Sequence, residues 1–199
     1  MKRRISKITG LRAAIVILVL INSCRTQSVL KDQTTDLERE YRGPQLTPQV
    51  PNFNQFREAV GFRESSNNYS AINRFGYIGK YQFGKLALID LGIKDQNKFL
   101  QNPSIQDEAF LALCRINKYR LRESIRIYVG KVINGISITE SGLLASAHLV
   151  GSNAVKRYLS SNGQDIIRDG NQVSIEEYLH LFRGYDLEIE AERNINLAV

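Results

Sequence analysis

The sequence predicts an α+β domain that is mainly α-helical, with a small β-hairpin near its start. Three observations point there. Apolar residues recur at helical spacing in several segments between Asn52 and Phe182. A run of aromatics and glycines, Tyr77 to Phe83, alternates with other residues as a short extended hairpin would. No internal repeat or second apolar block divides the chain, and 199 residues suffice for one domain with a real core.

The elements follow in order. In "NFNQFREAVGFRES" Phe53, Phe56, Ala59 and Val60 share a helix face, and Asn52 is a suitable N-cap. Helical period is lost from 67 to 83, where the hairpin is expected. "GKLALIDLG" reads as a short apolar helix closed by Gly92. Pro103 opens a long helix, roughly Ser104 to Tyr128, with apolar residues at 105, 109, 110, 113, 116 and 121. Gly130 to Gly135 reads as a break. "TESGLLASAHLVG" and "SNAVKRYLSSNG", rich in small residues, suggest two close-packed helices. "DGN" at 169–171 is a turn, and Ser174 to Glu177 has the pattern of a capping box that opens a last helix through Phe182. The segment after Gly184 is charged, and 186–199 is expected to be a frayed tail. Cys114 lies in an apolar helical pattern and reads as a buried small hydrophobe.

The charge of +7 is localised. Lys2, Arg3, Arg4, Lys7 and Arg12 supply five of the 27 basic side chains before any acid, so 22 remain against 20 acids. A nearly neutral remainder gives little support for a nucleic-acid partner. The basic stretch precedes "AAIVILVLI", Ala13 to Ile21, too short for a bilayer span of ~20 apolar residues and fitting an export signal. "Ile21-Asn22-Ser23-Cys24" then resembles a bacterial lipobox. That resemblance implies a signal peptide over 1–23, cleavage before Cys24 and a diacylglyceryl group on its sulfur. Residues 24–51, polar and holding three of the four prolines, read as a tether. The expected location is exported, facing the periplasm, with the uncharged and basic residues after Cys24 leaning to the outer membrane.

Glu64 is a lone acid between a helix and the aromatic run. Cleavage of a glycosidic bond needs a carboxyl group that still holds its proton near neutral pH, which burial against apolar surface favours. Phe62 and Tyr69 lie nearby in sequence, and Ser65, Tyr69, Asn73, Tyr77, Tyr81 and Gln82 could offer hydrogen bonds or ring faces to sugars. On spacing alone, an acid at a helix end is more often solvated or ion-paired, and alternating aromatics are more often core.

"RESSNNYSAINRFGYIGKYQFG" resembles the catalytic segment of the lysozyme-like superfamily, especially lytic transglycosylases and goose-type lysozymes: Glu64-Ser65, then a Gly-x-x-Gln element, Gly79 to Gln82. "SGLLASAHLVGSNAVKRYL" resembles the family's Ala-rich helix, a Gly and a second helix. The resemblance covers roughly 53–183 and implies a lysozyme-like catalytic domain over 52–185. It also implies cleavage of the MurNAc–GlcNAc bond of peptidoglycan with Glu64 as single acid. A 1,6-anhydro product is favoured over hydrolysis; a non-catalytic wall-binding lipoprotein is the alternative. Asp90, Asp95, Asp107 and Glu108 read as helix-end charges. Where many lytic transglycosylases carry Tyr-Asn, this chain has His148-Leu149, so His148 is either a groove group or a packed histidine. The expected partners are glycan strands and, through Cys24, a membrane. A monomer without cofactor or metal is expected, since His148 and His180 lack ligand partners and "RDGN" lacks the acids of a calcium loop.

Overall fold

The computed structural model describes residues 49–199; the signal peptide, lipidation site Cys24 and tether expected from the sequence lie, up to residue 48, outside the described residues. Residues 50–199 form a compact, mainly helical unit with one two-stranded antiparallel sheet. The helices are α1 (Phe53–Ser65), α2 (Lys85–Asp90), α3 (Gln96–Leu100), α4 (Pro103–Tyr128), α5 (Glu140–Val150), α6 (Ser152–Ser160) and α7 (Ile175–Leu181). Strands β1 (Val132–Ile133) and β2 (Ile136–Ser137) lie between α4 and α5.

The core is built around α5. Every residue from Ser141 to Ala147 is buried, as expected of a helix apolar on all sides. It packs against α4, α6 and α7. Small residues permit close approach: a Cβ added at Gly142 would meet the Leu179 carbonyl oxygen of α7 at 3.0 Å. Helix α4 contributes Ala109, Phe110, Leu113, Ile116 and Leu121 to the same core, matching the period read from sequence, and Cys114 is buried among them. Burial alone pushes the Cys114 thiol well up, so it stays protonated and inert.

Helix α1 starts at a reciprocal capping box: Asn52 Oδ1 accepts from the Asn54 and Gln55 amides, and Gln55 Oε1 accepts from the Asn52 amide at 2.9 Å. It stops because Ser66 and Asn67 both adopt left-handed backbone, φ 57° and 61°. That turn leaves Glu64 and Ser65 in the last turn of the helix, at the mouth of the following loop.

The β element is not where the aromatic alternation placed it. Residues 72–83 form turns joined only by single bridges, Ile72 with Ile78 and Ile78 with Phe83. Left-handed backbone at Gly79 (φ 78°) and Gln82 (φ 50°) folds the chain back before a strand can extend. The true hairpin is 132–137, which overlaps the segment read as a break, Gly130 to Gly135. Its turn is Asn134-Gly135, both left-handed, between Ile133 and Ile136, the residue pair that a tight two-residue hairpin demands.

The segment 186–199 is packed rather than frayed. The Asp186 amide donates to the Pro51 carbonyl at 2.8 Å and the Leu197 amide to that of Leu91 at 2.9 Å. Arg115 pairs with Glu192 at 2.7 Å, and Lys118 Nζ reaches the Ile189 carbonyl at 2.9 Å. Leu187 and Ile189 are buried while Glu188 and Glu190 face out, so the alternation of the sequence serves an extended strap. Helix α3, capped by Asp95, was not anticipated; its Phe99 is buried against Phe83.

Candidate functional site

The loop 67–84 owes its shape to side chains behind it. Gln106 of α4, fully buried, accepts from the Lys80 amide at 2.8 Å and donates to the Tyr69, Phe99 and Leu100 carbonyls. A Cβ on Gly79 would meet its Oε1 at 2.2 Å, so only glycine fits there. Ser65 Oγ donates to the Lys80 carbonyl at 2.7 Å, tying the end of α1 to the same loop. Asn73 Oδ1 accepts from the Phe75 and Tyr77 amides and forms the outer turn.

Three residues expected to bind substrate serve this scaffold instead. Tyr81 has no exposed surface: its ring stacks on Phe110 at 4.3 Å, and its hydroxyl donates to Asp107 at 2.6 Å. A ring so enclosed has no face for a sugar. Burial, then the Asp107 carboxylate, pushes that hydroxyl far up and keeps it a donor. The Tyr69 hydroxyl also donates to Asp107, at 3.0 Å, and its ring lies under the Lys80 ammonium. Lys80, itself buried, pairs with Glu58 at 2.7 Å. Ser65 is the third, spent on the loop. Asp107, read from sequence as a helix-end charge, is the acceptor that gathers this cluster.

Glu64, Asn73, Tyr77, Gln82 and His148 are brought together. They line a small pocket of about 50 Å³ with Phe75, Leu149 and the turn Asp169–Asn171. Phe75, Tyr77, Gln82, His148 and Leu149 also line a cleft of about 570 Å³, so the pocket opens onto it. The Glu64 side chain is 15% exposed. Its apolar neighbours are not those expected, because Phe62 is 66% exposed on the outside of α1. Phe75, Tyr77 and Leu149 supply the apolar wall.

Two groups hold the Glu64 carboxyl. The Tyr178 hydroxyl of α7 donates to Oε1 at 2.7 Å. Burial first, and then Glu64 itself, pushes that hydroxyl well up, so it remains a donor. Oε2 has no hydrogen-bond partner among the described residues. The adjacent Arg63–Glu177 pair fastens the same two helices. His148 Nε2 lies 3.9 Å from Oε1 but donates to the Tyr81 carbonyl at 2.7 Å. Its ring, 6% exposed, packs edgewise on Phe83 and Phe110, and Nδ1 is buried with no partner among the described residues. His148 is thus both a packed histidine and part of the groove wall.

Sequence reasoning missed Tyr178 and Asp169. Tyr178 lies on the buried face of α7, where a Leu would pack as well; a tyrosine there needs a partner for its hydroxyl. Asp169 was read as a plain turn residue. Its Oδ1 accepts from the Asn171 and Val173 amides, and it borders the pocket beside Glu64. Among the described residues no three His, Cys, Asp or Glu side chains gather as a metal site needs. No family model, no curated protein and no solved structure matches this chain.

Proposed function

We propose that this domain cleaves the MurNAc–GlcNAc bond of peptidoglycan with Glu64 as its single general acid, forming 1,6-anhydro ends. The carrying observation is the Glu64 carboxyl, held by Tyr178 at the narrow end of a cleft lined by aromatic rings and amides. Resemblance of Glu64-Ser65 and Gly79 to Gln82 to the lytic transglycosylase segments supports it. Glu64 protonates the bridging oxygen as the C1–O bond breaks. The resulting carboxylate then takes the proton of the muramoyl C6 hydroxyl as that oxygen bonds to C1. The nucleophile belongs to the substrate, so intramolecular attack supplies a high effective concentration and no second protein carboxylate is needed. Export and anchoring through Cys24 bring the domain to its substrate, and the lysozyme-like reading implies a monomer acting without cofactor.

Asp169 favours a second reading. A carboxylate at the edge of the Glu64 pocket could hold a water molecule for hydrolysis. The two readings differ by one water in the product, which mass spectrometry of digested peptidoglycan resolves. Anhydro products are expected from the native protein and from Asp169→Asn alike. Reducing ends that disappear in Asp169→Asn would move the assignment to a hydrolase.

Tyr178→Phe keeps the ring and removes the donor to Glu64. The turnover rate is expected to fall about tenfold, the worth of one hydrogen bond to a charged group, with the fold retained. Steady-state kinetics beside a thermal melt check this.

A further inference from the structure

The part of the cleft that does not reach Glu64 has its own chemistry. Leu113, Asn117 and Arg120 stand at i, i+4 and i+7 on α4 and line it from one side. Gly151 and Ser152, at the start of α6, line it from another, and Lys85 and Asp90 of α2 from a third. Asn117 is 3% exposed and Ser152 8% exposed, and both line the cleft, with no side-chain hydrogen bond to another of the described residues. Neither is among the sealed-off orphan atoms of the domain, so both side chains keep hydrogen-bonding capacity open to what occupies the cleft. Helix α6, nine residues long, has no side-chain cap, so the amides of Ser152, Asn153 and Ala154 are left without acceptors among the described residues. Lys85 is exposed and without an ion-pair partner among the described residues. Asp90 is already neutralised by Arg120 at 2.9 Å.

We propose that Asn117, Ser152, the α6 N-terminus and Lys85 form a subsite for a carboxylate carried by the glycan strand. The balance of groups is donor-rich: amide hydrogens, a hydroxyl and an ammonium, with the positive end of a helix dipole beside them. Neutral sugar hydroxyls, which donate as readily as they accept, do not need such a set. A carboxylate accepts only. On a muramoyl strand it comes from one of two sources, the peptide substituent or the bare lactyl group once the peptide is removed. The subsite deepens the glycan-cleaving reading and rests on it.

Binding to the Glu64→Gln protein, which keeps the cleft and does not turn over, is measured by calorimetry with three probes of equal length. They are peptide-bearing strands, strands stripped of peptide by an amidase, and a chitin oligosaccharide with no carboxylate. At least one carboxylate-bearing strand is expected to bind roughly tenfold tighter than the chitin oligosaccharide, about one charge-assisted hydrogen bond. Preference for the peptide-bearing strand alone names the peptide as source, and preference for the stripped strand names the lactyl group. Asn117→Leu should narrow the preference to about twofold, and Lys85→Ala, a surface change that leaves the core intact, should narrow it too. Equal binding of all three probes overturns the subsite and leaves the glycan reading standing. Failure to bind any of them overturns both.

Discussion

Glu64→Gln is expected to reduce cleavage of purified peptidoglycan by at least ~10²–10⁴-fold, the usual contribution of a positioned general acid–base. The substitution keeps volume and lets an amide oxygen accept the same Tyr178 hydrogen bond. It removes the transferable proton and the base that follows. Stability should hold or rise, because a largely buried carboxylate with one strong donor is replaced by a neutral group. Muropeptide release measured beside a thermal melt decides the matter. A folded Gln variant that still binds strands without cutting them is the expected result. Cleavage at the native rate would remove Glu64 from catalysis and leave a binding lipoprotein as the reading.

Tyr81→Ala should destabilise the domain by about 3–5 kcal/mol, the range for deleting a fully buried aromatic ring. For a domain of this size the melting temperature should drop on the order of 10 °C. The loss has two parts. A cavity opens against Phe110, and among the described residues Asp107 keeps only the Tyr69 hydroxyl and the more distant Arg57 as partners. Tyr81→Phe isolates the second part and should cost much less. Activity per folded molecule should be reduced only modestly in the Phe variant. A Tyr81→Ala protein with native melting behaviour and lost glycan affinity would instead make the ring a sugar platform.

Where the sequence was legible, one physical signal was strong and local. Apolar period and caps announced α1, α4, α5, α6 and α7; Asn52 caps as expected, and Ser174 supplies its half of the box by accepting from the Glu177 amide. Where it misled, two signals looked alike. Tyr77, Gly79, Tyr81 and Phe83 alternate as a strand would, yet the glycine and Gln82 need left-handed backbone, which ends extension. Asn134-Gly135 carried the better hairpin signal, hidden by its two-residue strands. In the candidate site, Glu64 and Gln82 were readable from a local motif. Tyr178 was not, because it lies 114 residues from Glu64 and only tertiary packing joins them. Tyr69 and Tyr81 were misassigned for the complementary reason: Asp107, which captures both hydroxyls, sits on a distant helix.

The strap formed by residues 186–199 governs when the domain can become itself. It joins Pro51 to Asp186 and Leu91 to Leu197, contacts whose partners lie far apart along the chain. Such pairings form late, after the cost of closing long loops has been met. Until residues 187–199 are free to fold back, Leu187 and Ile189 are missing from the core and Lys118 and Arg115 lack their partners. The domain therefore closes late in folding, once this strap has settled against residues 51, 91, 115 and 118.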